Sequence, residues 1–338
     1  MKSIAFFNNK GGVGKTSLVY HLGWTYTDRG GRVLMVDLDP QSNLTAMCVD
    51  EERLEQLWVD DDAKRKSIRG AVQPIIDGVG DVQPAHQEAI SSRLVLIPGD
   101  IRLSEFEAKL SDAWPRCLDR DRASFRVASA FHRVIQQAAA SCGADLVLID
   151  VGPNLGAINR SALLAAEYVV TPLGADLFSI QGLRNLGPTL AHWRTEWQER
   201  LTKNPITDLL LPTGAMRPAG YVVMQPNLYG GKVTHAYERW LEMLPSEYSR
   251  SVLSAPATDL RVHTDANCLA VLRHYRSLMP LAQTARKPIF KLTVGDGIMG
   301  AHAQAVSQVG AEFRQLAARI DERTITTPSG PTNSPTPT

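Results

Sequence analysis

The 338-residue sequence predicts a doubly wound α/β domain over residues 1–322, a mostly parallel sheet with helices on both faces, followed by a disordered Pro/Ser/Thr tail at 323–338. Three observations carry that expectation. Short apolar runs at 32–36 (RVLMV), 93–99 (RLVLIPG), 144–150 (ADLVLID), 167–172 (EYVVTP) and 219–224 (AGYVVM) read as strands buried on both faces. Between them lie longer stretches with apolar residues three or four apart, Leu18, Leu22 and Tyr26 first, as helices on a sheet require. The first strand, residues 2–8, also runs directly into a glycine-rich loop and then a helix, the setting of phosphate binding.

That loop, FFNNKGGVGKTS at 6–17, is the most specific stretch of the chain. Gly11, Gly12 and Gly14 lack a Cβ, so successive backbone N–H groups can turn inward around phosphate oxygens beside the positive end of the next helix. Lys15 reaches the outer phosphates and Thr16 offers its hydroxyl to Mg²⁺. The loop departs from GxxxxGK[ST], because Asn9 stands where the first glycine belongs and a second lysine, Lys10, follows it. A lysine so early cannot easily fold back onto its own phosphates, and it points to a nucleotide held by a second subunit. The KGGVGK[ST] pattern resembles the deviant Walker A signature of the ParA/MinD family of dimerising ATPases. The resemblance implies ATP and Mg²⁺ as cofactors, Gly11, Gly12, Val13, Gly14, Lys15, Thr16 and Ser17 as nucleotide contacts, and Lys10 and Lys15 as catalytic cations.

The first helix, 17–27, stops at Gly30 and Gly31, and the strand at 32–36 leads into Asp37-Leu38-Asp39-Pro40-Gln41. Strand ends of this kind lie beside the phosphate loop in an open parallel sheet. By resemblance this is switch I, with Asp39 orienting the attacking water and Asp37 organising the Mg²⁺ shell; read by themselves the residues fit a turn better, and it is the loop one βα unit earlier that reverses this. Residues 43–93 hold charge clusters, among them Lys64-Arg65-Lys66, that read as solvated surface, and no chemistry is expected there. A strand at 93–99, a helix at 101–110 and an amphipathic helix at 127–140 follow. The strand at 144–150 closes on Asp150, the Walker B pattern, which places that carboxylate on Mg²⁺ through a coordinated water. Val151-Gly152-Pro153-Asn154 resembles switch II, with Gly152 and Asn154 departing from the family's usual Ala-Pro-Pro.

Beyond a helix at 157–166 and a strand to Pro172, Asp176, Ser179 and Gly182 open a helix running to about Leu201. Its Trp193 and Trp197 suit core or dimer packing better than base stacking. Gln225 and Asn227 follow the strand at 219–224 where relatives contact adenine, although a Pro-Asn turn accounts for them too. Residues 228–250 resemble the helix between the last strands. Arg273, Arg276, Arg286, Lys287 and Lys291 fall where the family's arginines meet DNA phosphates without sequence choice, and solvated charge accounts for them equally well. A last helix, 300–320, carries an apolar stripe for the sheet.

With Lys+Arg 36 against Asp+Glu 35 the chain has no global basic field, so DNA affinity must come from a local patch. Cys48, Cys117, Cys142 and Cys268 form no CxxC pair, which indicates free thiols in a reducing cytosol. No apolar run approaches the ~20 residues that span a bilayer. The expected protein is cytoplasmic and nucleoid-associated when bound to ATP. It forms an ATP-dependent homodimer, binds DNA non-specifically, answers a ParB-like or other stimulating protein, and partitions plasmid or chromosome cargo without stable membrane insertion. With no helix-turn-helix before Lys2, specific operator binding is not expected. The alternative is a MinD-like or other cargo-positioning ATPase acting on a membrane or protein assembly. An iron–sulfur reductase would need cysteines at 150–154, where there are none.

Overall fold

The computed structural model describes residues 1–224, 235–273, 275 and 278–324. The chain alternates strands and helices: β1 (Lys2–Phe6), α1 (Lys15–Asp28), β2 (Val33–Asp37), α2 (Asn43–Cys48), α3 (Glu51–Leu57), α4 (Ile68–Asp77), β3 (Glu88–Ala89), β4 (Leu94–Ile97), α5 (Phe106–Arg116), α6 (Arg122–Ala128), α7 (Ala130–Cys142), β5 (Leu146–Asp150), α8 (Ala157–Leu164), β6 (Tyr168–Gly174), α9 (Leu177–Lys203), β7 (Arg217–Met224), α10 (His235–Ser251), β8 (Cys268–Leu272), α11 (Leu278–Ala285) and α12 (Ala301–Arg323). The eight strands form one sheet in the order β3-β4-β2-β5-β1-β6-β7-β8, parallel throughout except for the short edge strand β3. The doubly wound fold expected from the sequence is the fold observed.

Alternate residues of each strand feed opposite cores, which is why the strands read as unbroken apolar runs. Ala5, Leu34 and Val36 pack with Phe106, Phe131 and Trp197 on one face. Ile4, Phe6, Val33 and Met35 pack with Leu18, Leu22, Phe313 and Leu316 on the other. Trp193 and Trp197 are buried in the first of these cores, Trp197 donating its indole N–H to the Pro212 carbonyl at 2.8 Å. No helix among the described residues is long and apolar enough to cross a membrane.

Four expectations change. The helix over 127–140 is two, α6 and α7, broken at Ser129, whose hydroxyl bonds the Phe125 carbonyl and receives Arg133 Nε. The helix from 101 begins as a 3-10 turn, Ile101–Glu105. The edge strand β8 emerges at a five-residue run that the periodicity does not single out. Arg65 is not solvated: it makes a bidentate pair with Asp100, at 2.7 and 2.8 Å, and both side chains are buried. Asp62, Arg69, Arg102 and Glu105 extend this into an ion-pair network. Helix α12 runs to Arg323, and the tail lies outside the described residues from 325 onward.

Packing of α1 on α12 centres on His21, fully buried and stacked on Phe313 at 4.9 Å between ring centroids. Its Nε2 accepts the Ile289 N–H at 3.2 Å, so the proton sits on Nδ1 and is donated to the Ser17 carbonyl at 2.7 Å. Burial pushes the imidazole pKa down to about 4, against the pull of that carbonyl. Between that value and the unfolded value near 6.5 the unfolded chain binds the extra proton, so stability falls as pH falls through this window. Denaturant unfolding of the wild type at pH 7.5 and pH 5.0 is expected to differ by about 2 kcal/mol from His21. His132, also pushed down to about 4 by burial, acts in the same direction. A His21→Gln variant that kept the full pH difference would refute the assignment.

Candidate functional site

The glycine loop sits at the carboxyl end of β1, between β5 and β6, where the sheet's central strands open onto one edge. Gly12 at φ 72° and Gly14 at φ 78° adopt left-handed conformations that side-chain-bearing residues avoid. A Cβ at Gly14 would also lie 2.8 Å from Met224 Cε. Gly14 ends the loop as the N-cap of α1, so its turn aims the positive helix end into the cradle. Lys15 is buried, and its ammonium donates to the carbonyls of Asn8 and Lys10, both at 3.3 Å. Burial pushes its pKa down, while Asp150 and Asp39 resist that shift. Val13 is buried, whereas Gly11 is exposed and Thr16 and Ser17 are half-buried at the start of the helix.

Three carboxylates converge beneath the loop. Asp37 and Asp150 are register partners on β2 and β5, and neither is accessible to solvent. Burial pushes Asp37 up to about 7, Asp39's charge adding to the shift and the Thr45 hydrogen bonds opposing it. Burial followed by the charges of Asp37 and Asp39 holds Asp150 well above the ordinary carboxylate range, with Thr16 and Lys15 favouring its charged form. Neither Asp150 oxygen has a hydrogen-bond partner at bonding distance. Asp39, 6% exposed, accepts the Gln41 N–H at 3.0 Å. The segment after β5 passes close to it: a Cβ at Gly152 would lie 3.2 Å from Asp39 Oδ1.

These donors suit a hard cation. A buried carboxylate without a partner, a second one beside it and a hydroxyl at the helix start are the oxygen set that Mg²⁺ takes. Among the described residues no group of three or more His, Cys, Asp or Glu is placed to hold a metal ion.

A cavity of about 370 Å³ opens beside the loop, bordered by Val13, Gly14 and Ser17 and by Asp176, Met224 and Tyr275. Its volume lies in the range of small-molecule sites. Arg273 also borders it, paired with Glu312 at 3.2 Å. Lys10 stands on Asp176, Nζ to Oδ2 2.5 Å, with the Phe178 ring 5.7 Å away. Asp176 simultaneously caps α9 through the Ser179 N–H at 2.9 Å.

Three of the basic residues expected to meet DNA hold partners within the chain. Arg286 donates to the Val49 carbonyl at 3.2 Å, Lys287 pairs with Asp296 at 2.8 Å and Lys291 with Asp28 at 2.7 Å. Arg276, Gln225 and Asn227 lie outside the described residues.

Other residues of the site carry no local sequence signal. Asn159, buried on α8, donates its amide to the carbonyls of Gly152 and Asn154 at 2.8 and 2.7 Å, clamping the segment after β5. Glu107 reaches from α5 to accept the first N–H groups of α8, Ala157 at 2.5 Å and Ile158 at 2.8 Å. Thr45 bonds Asp37.

The sequence profile of the family described as AAA domain matches residues 1–203. The chain is 32% identical over 194 residues to Protein IncC of Escherichia coli, covering 57% of this chain and 47% of IncC. It is 29% identical over 201 residues to the chromosome partitioning protein ParA of Caulobacter vibrioides, covering 60% and 66%. The chain thus spans about half to just under two thirds of the length of these curated relatives. The crystal structure of protein DIP2308 from Corynebacterium diphtheriae shares the fold, with a TM-score of 0.72 at 24% identity over 96% of this chain and 99% of that one.

Proposed function

Because the chain belongs to the AAA-domain family of ParA/MinD-type ATPases, we propose that residues 1–322 act as one ATPase domain that closes an ATP-dependent homodimer, binds DNA non-specifically and positions plasmid or chromosome cargo. The observation that supports this most directly is the Gly12–Gly14 cradle holding a buried Lys15 above the unpartnered Asp150 carboxylate. Mg²⁺, when bound, would offset the charge of the phosphate oxygens. Thr16, Asp37 and Asp150 would hold it. Lys15 and the loop amides meet the phosphates, Val13 and Ser17 border the nucleotide, and Asp39 orients the attacking water from beside switch II. Catalysis of this kind is positioning and charge stabilisation in a water-poor site.

Lys10 leaves Asp176 to reach the nucleotide of a second copy. Leu177, 45% exposed, and Phe178, 71% exposed, stand beside it as apolar surface for that copy to cover. DNA binding then falls to basic residues around α11, and a ParB-like or other partner sets the hydrolysis rate.

Light scattering with ATP and Mg²⁺ is expected to report a dimer, and with ADP a monomer. Lys10→Ala and Phe178→Glu should each weaken the dimer at least tenfold. DNA co-sedimentation should be ATP-dependent and salt-sensitive and should fail in Arg286→Glu/Lys287→Glu, a pair away from the cavity that Arg273 borders. A protein that dimerises on ATP yet ignores DNA would lose the partition reading while keeping the ATPase.

A further inference from the structure

Asp37 is more firmly held than a carboxylate at a strand end ordinarily is. Its Oδ2 receives two hydrogen bonds from one residue, Thr45: the backbone N–H at 2.9 Å and the hydroxyl at 2.6 Å. Oδ1 receives the longer bond from the Asp39 N–H at 3.3 Å. Thr45 is fully buried on α2, eight residues downstream, and its hydroxyl oxygen also accepts the Gly99 N–H at 2.8 Å. Gly99 presses against the same carboxylate, since a Cβ there would lie 2.7 Å from Asp37 Cγ. The next residue, Asp100, is pinned by the buried Arg65 guanidinium and by the Ser67 hydroxyl at 2.6 Å. A chain of buried polar contacts therefore runs from Arg65 and Asp100, through Gly99 and Thr45, to Asp37. Side chains that orient a carboxylate set how well it holds a metal.

We propose that Thr45 is the positioning residue for Asp37 at the Mg²⁺ site, and that residues 65–100 are the scaffold that positions Thr45. This rests on the ATPase reading given above. Thr45 spends its hydroxyl on Asp37 and Gly99, so it acts through Asp37. The hydroxyl is the part that matters, because the backbone N–H donor is kept in every substitution except proline.

The test uses the full chain with Thr45→Val and Thr45→Ser and three readouts. These are the Mg²⁺ concentration giving half-maximal ATP hydrolysis, Mn²⁺ binding in the presence of ADP read by electron paramagnetic resonance, and ADP affinity in EDTA. Thr45→Val is expected to raise the first and weaken the second about 10-fold or more. It should leave ADP affinity in EDTA within about twofold, and Thr45→Ser, which keeps the hydroxyl, should stay near wild type in all three. Should Thr45→Val fail to fold, Thr45→Ala takes its place with the same thresholds. Unchanged metal dependence overturns the proposal. A parallel loss of metal-free ADP affinity also overturns it, as does a serine variant as impaired as the valine one. If the wild type itself binds neither ADP nor Mn²⁺, the ATPase reading fails instead.

Discussion

Gly187→Ala is expected to destabilise the protein by about 3 kcal/mol or more, a fall of roughly 5 °C in melting temperature. An added Cβ would lie 1.7 Å from the Ser251 carbonyl oxygen, 2.4 Å from its carbon and 3.0 Å from Val252 Cα. All three are backbone atoms, which cannot rotate away as a side chain does. Gly187 lies within α9 and Ser251 ends α10, so the clash forces apart two helices that pack over Leu173, Tyr221 and Val223. Intrinsic preference runs the other way, because alanine is favoured over glycine in a helix interior by about 1 kcal/mol. The sign of the result therefore decides which effect wins. Gly295→Ala is the matched control: its Cβ would meet only Thr293 Oγ1, at 3.7 Å, and it should melt within about 1 °C of wild type. A Gly187→Ala protein as stable as that control would mean that α9 and α10 do not approach as described.

What could be read from the sequence was local. The loop declares itself because strand, glycines, lysines and helix are consecutive, and Asp37, Asp39 and Asp150 could be placed because each closes an apolar run. Lys10 was legible as an anomaly, but its partner Asp176 lies 166 residues away. Arg65 shows the same gap more sharply. In a run with Lys64 and Lys66 it looks like solvated charge, and the pairing carboxylate that makes its burial tolerable, Asp100, lies 35 residues on. Thr45, Asn159 and Glu107 are ordinary polar residues whose roles appear once the chain has brought their partners to them, 8, 7 and 50 residues away respectively. The break at Ser129 was hidden for another reason. An apolar stripe continues through α6 and α7 on the same core, so periodicity alone does not register the interruption.

Asp150→Asn is expected to move stability and hydrolysis in opposite directions. In the metal-free protein Asp150 is sealed from water, its oxygens lack partners at bonding distance, and the Asp37 and Asp39 carboxyls crowd it against one buried ammonium, Lys15. Burial raises its pKa well above the unfolded value, so at neutral pH the fold bears the cost of either proton uptake or an unpartnered charge; asparagine removes that cost at nearly the same shape. The metal-free variant should therefore be more stable than wild type by about 1 kcal/mol or more. The same substitution takes a ligand from the Mg²⁺ site, so ATP hydrolysis should fall by roughly 10²–10³-fold, the scale of losing one electrostatic contact in a catalytic centre. Calorimetry in EDTA and with Mg²⁺ and ADP separates the two effects: the variant should start higher and gain less from the metal. A purely structural Asp150 requires the opposite, a variant less stable than wild type in EDTA. Strain retained at a functional site at the expense of stability is the trade-off that this pair of signs detects.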